Sequence, residues 1–165
     1  WHRHCTRSSS DTKASAMSWE DASAGEPIVA DVMVTPVVTV TPDTRVGMAR
    51  RLLRRAWIRH LPVLERSLLV GIVSDRDLRE AGSEAVPVRE VMTRPVFVLS
   101  PDTPIRAAAR IFTQRRFGAM PVLKGRELVG IVSVVDVLLA LGEGQGRPPW
   151  AVEALLGQVE SEVAR

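Results

Sequence analysis

The chain has 165 residues, of which 45% are hydrophobic, and a formal net charge of +3 with its histidines neutral. This length allows one ordinary domain or a fused pair of small units. The arginines behind the charge excess are scattered, which excludes a clustered basic tail for nucleic acid. The single cysteine, Cys5, excludes an internal disulfide. No apolar run approaches the roughly 18 residues that span a bilayer. These properties predict a cytoplasmic protein.

Residues 1–27 are polar throughout and show no periodicity, which predicts a disordered leader. No charged-then-apolar signal segment is visible in them. His2, His4 and Cys5 are metal-ligating residue types, but no second ligand pair occurs elsewhere in the sequence. The sequence therefore predicts no metal site.

The rest of the chain contains an internal repeat. At an offset of 59 residues, 19 of the 47 positions in 31–77 and 90–136 are identical without a gap. The most similar stretches read LVGIVSDRD at 69–77 and LVGIVSVVD at 128–136. Chance does not keep register over this length, so the sequence predicts two tandem units, at 28–84 and 85–142.

The first unit begins with a short predicted strand, Val37–Val40. Thr41 is predicted to be the N-cap of a helix, with Pro42 as its first residue. The apolar positions of this helix recur every three or four residues as far as Trp57. The remaining elements are a hairpin of strands 61–64 and 68–73 and a short helix from Ser74 to about Gly82.

The second unit repeats this order, so each unit reads β-α-β-β-α and the fold class is α/β. A sheet this small cannot bury its own face, so the two units are expected to pack sheet against sheet with pseudo-twofold symmetry. After a glycine-rich linker, residues 143–165 end in a predicted amphipathic helix. The elements of the second unit are strands 96–99, 120–123 and 128–132 and helices from Ser100 and from Val134 to Leu141.

Both units carry a serine three residues before an aspartate, directly after the second hairpin strand. This spacing fits a capping box, in which the two side chains satisfy N–H groups at a helix start. It also suits ligand binding, because a carboxylate can accept two hydrogen bonds from a vicinal diol. The N–H groups of a helix start attract phosphate. The two roles are compatible, and the pattern alone leaves both open.

The tandem units resemble a pair of CBS domains, the Bateman module, over about residues 28–142. The resemblance rests on the openings Val32-Met33…Pro36 and Val91-Met92…Pro95 and on the two Gly-Ile-Val-Ser-x-x-Asp motifs. It implies a regulatory module without catalytic activity that binds an adenosyl ligand in clefts between the units. The implied ligands are AMP, ADP, ATP or S-adenosylmethionine. It further implies a homodimer, a signal carried by a change in unit packing, and an unidentified protein partner.

The resemblance also assigns residues to the two clefts. Asp77 and Asp136 would hold the ribose, and Ser74 and Ser133 would lie near the phosphates. Protonated His60 would make affinity depend on pH near neutrality. For the Asp77 cleft the resemblance adds Arg59, His60, Arg76, Met92, Thr93, Pro95 and Phe97; for the Asp136 cleft it adds Met33, Pro36 and Val38.

The two copies differ in charge around the shared motif. The first has Arg59, His60, Asp75 and Arg76 where the second has Gly118, Ala119, Val134 and Val135. The Asp77 cleft is therefore predicted to prefer a phosphorylated nucleotide, and the Asp136 cleft a less charged adenosyl ligand or none. Two further roles stay open. Arg115 and Arg116 supply replacement charge to the Asp136 cleft, form a solvated face or interact with the C-terminus of their helix. Trp57 is a dimer contact or a cap on the core.

The sequence shows no nucleophile paired with a base, no metal cluster and no Walker-type glycine loop, so an enzyme is not predicted. Two alternatives to a ligand sensor remain. One is a dimerisation or interaction module with unused clefts, in which the capping boxes have only a structural role. The other is a nucleic-acid binder, which predicts affinity that falls steeply with salt and which the dispersed charges favour least.

Overall fold

The computed structural model describes residues 25–143. The predicted leader up to residue 24, and the predicted linker and amphipathic helix after residue 143, lie outside the described residues. Within the described part, no helix combines the length and apolarity needed to cross a bilayer. The elements are α1 (Val29–Val32), α2 (Val46–Ala56), β1 (His60–Glu65), β2 (Leu68–Ser74), α3 (Asp75–Glu80), a 3₁₀ turn (Val88–Glu90), α4 (Ile105–Arg115), β3 (Ala119–Lys124), β4 (Glu127–Ser133) and α5 (Val134–Glu143).

Two antiparallel hairpins, β1–β2 and β3–β4, form the centre of the fold, and β2 lies against β4. Their registers match at the offset found in the sequence, with Leu61 opposite Val73 and Met120 opposite Val132. Each hairpin also carries a bulge at the equivalent position, where the second strand has one extra residue, Val70 in β2 and Val129 in β4. The prediction of a tandem α/β fold with two equivalent units is confirmed.

The prediction of a strand at the start of each unit is wrong. Only the last residue of each predicted strand, Val40 or Leu99, forms a β-bridge. Val40 pairs in parallel with β1, where its N–H donates to the carbonyl of Pro62 at 3.1 Å. The next hydrogen bond of a parallel ladder would need an N–H from Pro62, which proline lacks. Pro121 ends the pairing of Leu99 with β3 in the same way.

Both long helices begin later than predicted. Thr41 does not cap α2, because its N–H and its hydroxyl bond within a tight turn before the helix. The first helical N–H groups instead find acceptors far along the chain: Val46 donates to the carbonyl of Val86 at 2.9 Å, and Ile105 of α4 donates to that of Pro27 at 2.9 Å. Distant backbone carbonyls replace the side-chain caps, and a local sequence pattern cannot reveal such partners.

Each unit has a hydrophobic core that is completed by the opening segment of the other repeat. Val29 of α1 is buried with Ile105 and Phe112 of the second unit. Val88 of the 3₁₀ turn is buried with Leu53 of the first unit. The two repeats therefore interlock, and the limits 28–84 and 85–142 describe repeats of sequence; as domain limits they stay a prediction.

Candidate functional site

A cavity of about 460 Å³ opens where the end of β2 and the start of α3 meet residues of the second unit. This volume lies in the range of about 300–1,000 Å³ that is typical of small-molecule sites. Both units contribute to the wall, which is lined by Arg59, His60, Ile72, Ser74, Asp75, Arg76, Asp77, Arg79, Thr93, Pro95, Val96, Phe97, Arg116, Phe117, Gly118, Ala119 and Met120.

The predicted capping box of α3 is present. The N–H and the hydroxyl of Ser74 both donate to Asp77 Oδ2, at 2.8 and 2.7 Å, and the N–H of Asp77 donates to Ser74 Oγ at 3.3 Å. These bonds hold the carboxylate at the cavity wall in one orientation. Asp77 Oδ1 makes no hydrogen bond within residues 25–143, so its lone pairs remain available to a ligand hydroxyl.

The start of α3 offers fewer N–H donors than its sequence suggests. The Asp75 N–H donates to the carbonyl of Arg59 at 2.9 Å, and the Asp77 N–H is engaged by Ser74. Backbone donors at this helix start are thus largely consumed by the fold itself. Any phosphate in the cavity would depend on side-chain cations.

The cavity wall is rich in arginine, with four arginines and two aspartates. Arg79 is paired with Asp75 at 2.7 Å, one turn away on α3. Arg59, Arg76 and Arg116 make no ion pair with any described residue, so their guanidinium groups are open to an anion. The wall therefore presents a positive field with one carboxylate held inside it.

His60 lies where the two units meet. A Cβ on Gly118 would be only 2.7 Å from His60 Cε1, so the imidazole rests directly on the Gly118 backbone. Burial lowers the pKa of His60, the carboxylate of Asp77 raises it, and the guanidinium of Arg59 lowers it; the net shift is downward from 6.5. The imidazole is therefore protonated less readily than a free histidine side chain, and the predicted pH dependence of ligand affinity stays a prediction.

An aromatic wall completes the cavity. The rings of Phe97 and Phe117 have centroids 5.2 Å apart and are tilted by 41°. The guanidinium of Arg115 lies 5.0 Å from the centroid of Phe97, within cation–π distance. A planar base could pack against this pair, since aromatic faces attract π systems in offset or tilted geometry.

The structure brings together eight of the nine residues assigned to the Asp77 cleft. Met92 is absent from the cavity wall, because its side chain packs over Gly71. Met33 packs over Gly130 in the same way, Val38 packs against the first core, and Pro36 is exposed. The assigned residues that line the cavity are Arg59, His60, Ser74, Arg76, Asp77, Thr93, Pro95 and Phe97.

Sequence reasoning missed the contribution of the segment Arg116–Met120. Arg116 was considered only for the Asp136 cleft or for a solvated face, whereas it lines the Asp77 cavity. A usable signal was present: this segment matches residues 57–61 in the repeat, next to the assigned Arg59 and His60. A pseudo-twofold axis between the units brings both copies of such a segment to the same place.

The Asp136 side keeps the backbone geometry of the Asp77 side. The N–H and the hydroxyl of Ser133 donate to Asp136 Oδ2 at 2.9 and 2.6 Å, and the Asp136 N–H donates to Ser133 Oγ at 3.3 Å. At the positions that match Asp75 and Arg76 it carries the apolar residues Val134 and Val135. Trp57 has 89% of its side chain exposed, so it does not cap the core.

Comparison with known proteins agrees with this architecture. The CBS domain family matches residues 29–84 and 88–143. The CBS domain-containing protein YhcV of Bacillus subtilis is 29% identical over 114 residues, which cover 66% of this chain and 81% of that protein. Two curated enzymes match at 34% and 32% identity, but the chain spans only 22% and 14% of their lengths.

Solved structures give the same result. The CBS domain pair of protein MJ0100, in complex with 5′-methylthioadenosine and S-adenosyl-L-methionine, aligns with a TM-score of 0.69 at 27% identity, over 73% of this chain and 100% of that one. CBSX2 in complex with AMP aligns with a TM-score of 0.64 at 29% identity, over 69% and 95%. Because the family matches the chain twice in tandem, the chain belongs to the CBS domain family and contains a CBS domain pair at residues 29–143.

Proposed function

We propose that this CBS pair is a regulatory module that binds a phosphorylated adenine nucleotide in the Asp77 cavity. The observation that carries the proposal is the placement of four arginines around one held carboxylate in a cavity of ligand size. The positive wall suits a ligand with several negative charges. The cavity contains no arrangement that requires a catalytic role.

Each part of a nucleotide has a complementary group in the cavity. Asp77 Oδ1 is available to the ribose hydroxyls, since Oδ2 is occupied by Ser74. Arg59, Arg76 and Arg116 would make charge-assisted bonds to phosphate. The Phe97–Phe117 wall offers an apolar surface for the base. The AMP bound by CBSX2 supports this ligand class for the family fold.

Regulation would arise because both units line the cavity. A ligand that contacts Asp77 of the first unit and Arg116 of the second favours one relative arrangement of the two. The ligand can shift the equilibrium between two arrangements only by as much as its affinity for them differs. In the proposed sensor the chain forms a homodimer, and a protein partner recognises the change in the packing of the units.

Calorimetric titration of the purified protein with AMP, ADP, ATP and S-adenosylmethionine tests this proposal. Wild type is expected to bind the nucleotides, and Asp77→Ala to lose affinity by about 10-fold or more, as for loss of a hydrogen bond to a charged group. Asp136→Ala, which removes the same cap in the other unit, is the matched control and is expected to retain nucleotide binding. Loss of nucleotide binding in Asp136→Ala alone would reverse the assignment.

A second candidate is an assembly module with unused clefts. It is favoured by the exposed apolar side chains of α5, namely Val135, Leu138, Leu139 and Leu141. This function predicts a stable dimer by light scattering and no heat with any of the four ligands. That combination in a folded protein would replace the sensor proposal.

A further inference from the structure

Helix α5 exposes an apolar stripe that its counterpart α3 lacks. The side chains of Val135, Leu138 and Leu139 are 57%, 61% and 42% exposed. Their three- and four-residue spacing places them on one face of the helix. At the offset of 59 residues the matching positions of α3 hold charged residues, Arg76, Arg79 and Glu80. The fold therefore does not require apolar residues at these positions, and the stripe belongs to the second unit alone.

Trp57 extends this stripe beyond the start of α5. Its counterpart Arg116 lines one cavity with Arg76 and Arg79 of α3. The pseudo-twofold axis therefore brings Trp57 next to the start of α5, as it brings Arg116 next to α3. Trp57 is 89% exposed, the largest value among the large apolar residues of 25–143. A contiguous apolar surface of this kind marks an interaction site. We call it the α5 face; it consists of Trp57, Val135, Leu138 and Leu139.

A segment with a matching apolar face follows α5 directly in the sequence. Helix α5 ends at Glu143, and the glycine-rich residues 144–147 lead to Pro148 and Pro149. Proline is favoured in the first turn of a helix. The apolar residues that follow recur every three or four positions, which predicts one apolar helix face. They are Val152, Leu155, Leu156, Val159 and Val163. A helix this short is marginal in water by itself, so it needs a surface to pack against.

The lengths of α5 and of this segment match. A connection such as 144–147 lies within the range of about 2–8 residues that joins antiparallel neighbouring helices. Both helices rise about 1.5 Å per residue, so in an antiparallel pair Val152 would lie level with Leu139. Farther along, Leu156 would lie level with Val135. The rest of the segment would extend past the start of α5, where Trp57 lies.

The charges favour the same arrangement. Residues 150–165 include three glutamates and one arginine. Two of these glutamates, Glu160 and Glu162, lie in the part of the segment that would reach Trp57. The last turn of α2, directly before Trp57, carries Arg54 and Arg55, and both are exposed. Opposite charges would therefore face each other at the far end of the contact.

From these observations we propose that residues 150–163 form a helix that packs along the α5 face of their own chain, antiparallel to α5. The short connection holds the segment near α5 at an effective concentration of about millimolar. A second copy reaches this concentration only in a very concentrated solution, so the chain's own segment is the favoured occupant. The proposal does not rest on nucleotide binding, because the wall of the Asp77 cavity contains no residue of the α5 face.

Hydrogen exchange of the full chain, followed by mass spectrometry, tests this proposal. In wild type, the amides of residues 152–163 are expected to exchange about 10-fold or more slowly than in the free peptide of the same sequence. Leu138→Asp with Leu139→Asp puts charge into the α5 face and is expected to abolish this protection. Met48→Asp with Leu68→Asp alters two apolar residues that are 42% and 40% exposed elsewhere. This matched control should keep the protection, and the amides of β2 and β4 report whether each variant is folded.

A second pair of substitutions leaves residues 25–143 unchanged. Leu155→Asp with Leu156→Asp is expected to abolish the same protection. Ala154→Asp with Ser161→Asp adds equal charge on the opposite side of the predicted helix and should keep it. In chains whose other tryptophans are replaced by Phe, acrylamide quenching of Trp57 fluorescence is expected to rise toward that of free tryptophan with the first pair only. This readout connects the segment to the α5 face.

Refolding two variants together identifies the copy that supplies the segment. The Leu138→Asp/Leu139→Asp chain keeps an intact segment, and the Leu155→Asp/Leu156→Asp chain keeps an intact α5 face. Docking within one chain predicts that refolding them together restores no protection. Restored protection would overturn the proposal and assign the α5 face to a second copy, as in the assembly module. Rapid exchange in wild type, or protection that survives in the folded Leu138→Asp/Leu139→Asp chain, would also overturn it.

Discussion

The two halves of the molecule share a backbone and differ in chemistry. The capping boxes at Ser74 and Ser133 have the same three hydrogen bonds, with lengths that agree within 0.1 Å. Three arginines that line the cavity beside the first box, Arg76, Arg79 and Arg116, are replaced in the repeat by Val135, Leu138 and Trp57. The serine–aspartate motif therefore caps a helix in both halves, and its presence alone does not indicate a ligand. The charges around it distinguish the two sides.

Each half also has a glycine three residues before the serine of the motif. Substitution of these two glycines has the largest expected effect on stability. A Cβ on Gly71 would be 3.0 Å from Met92 Cγ, and one on Gly130 would be 2.9 Å from Met33 Cγ. Gly71→Ala and Gly130→Ala are each expected to lower the free energy of unfolding by about 1–3 kcal/mol through overpacking. Urea denaturation measures both.

Gly82→Ala is the control for the glycine pair, because no heavy atom lies within 4 Å of its Cβ position. Its effect should stay within about 0.5 kcal/mol. A large loss in only one of Gly71→Ala and Gly130→Ala would show that the two halves are not equivalent in packing.

The capping boxes give an intermediate effect. Ser74→Ala and Ser133→Ala each remove a side-chain acceptor for a helix N–H and are expected to cost about 1 kcal/mol of unfolding free energy. Ser100→Ala is the control, since the Ser100 hydroxyl makes no hydrogen bond within the described residues. Unequal losses for the two capping serines would contradict the claim that both boxes are structural.

The smallest expected effect on stability comes from the ionisation of His60. Its counterpart in the second unit is Ala119, which cannot titrate. The pKa of His60 is lowered in the folded state, so the unfolded chain takes up the proton first as pH falls below 6.5. The His60 contribution to stability is complete above pH 6.5 and declines from there toward the folded-state pKa. His60→Gln should lose less stability than wild type between pH 7 and pH 5 in parallel denaturation series, and identical pH profiles would sink this account.

Much of the fold was predictable because its signals are local. The offset repeat predicted the equivalence of the units, and pairs of apolar runs separated by a short polar turn predicted both hairpins. Ser74 and Ser133 predicted the starts of α3 and α5, because a capping oxygen and the N–H that donates to it lie within one turn. The resemblance named eight of the residues that line the cavity.

The tertiary structure decided what depends on distant partners. It moved the start of α2 to Val46, whose N–H reaches a carbonyl 40 residues away, and it ended the opening strands where Pro62 and Pro121 cannot donate. It placed each opening segment in the core of the other unit. It also placed Arg116 at the Asp77 cavity. The pseudo-twofold axis brings this residue of the second unit next to residues of the first, and the sequence of one repeat alone does not reveal that contact.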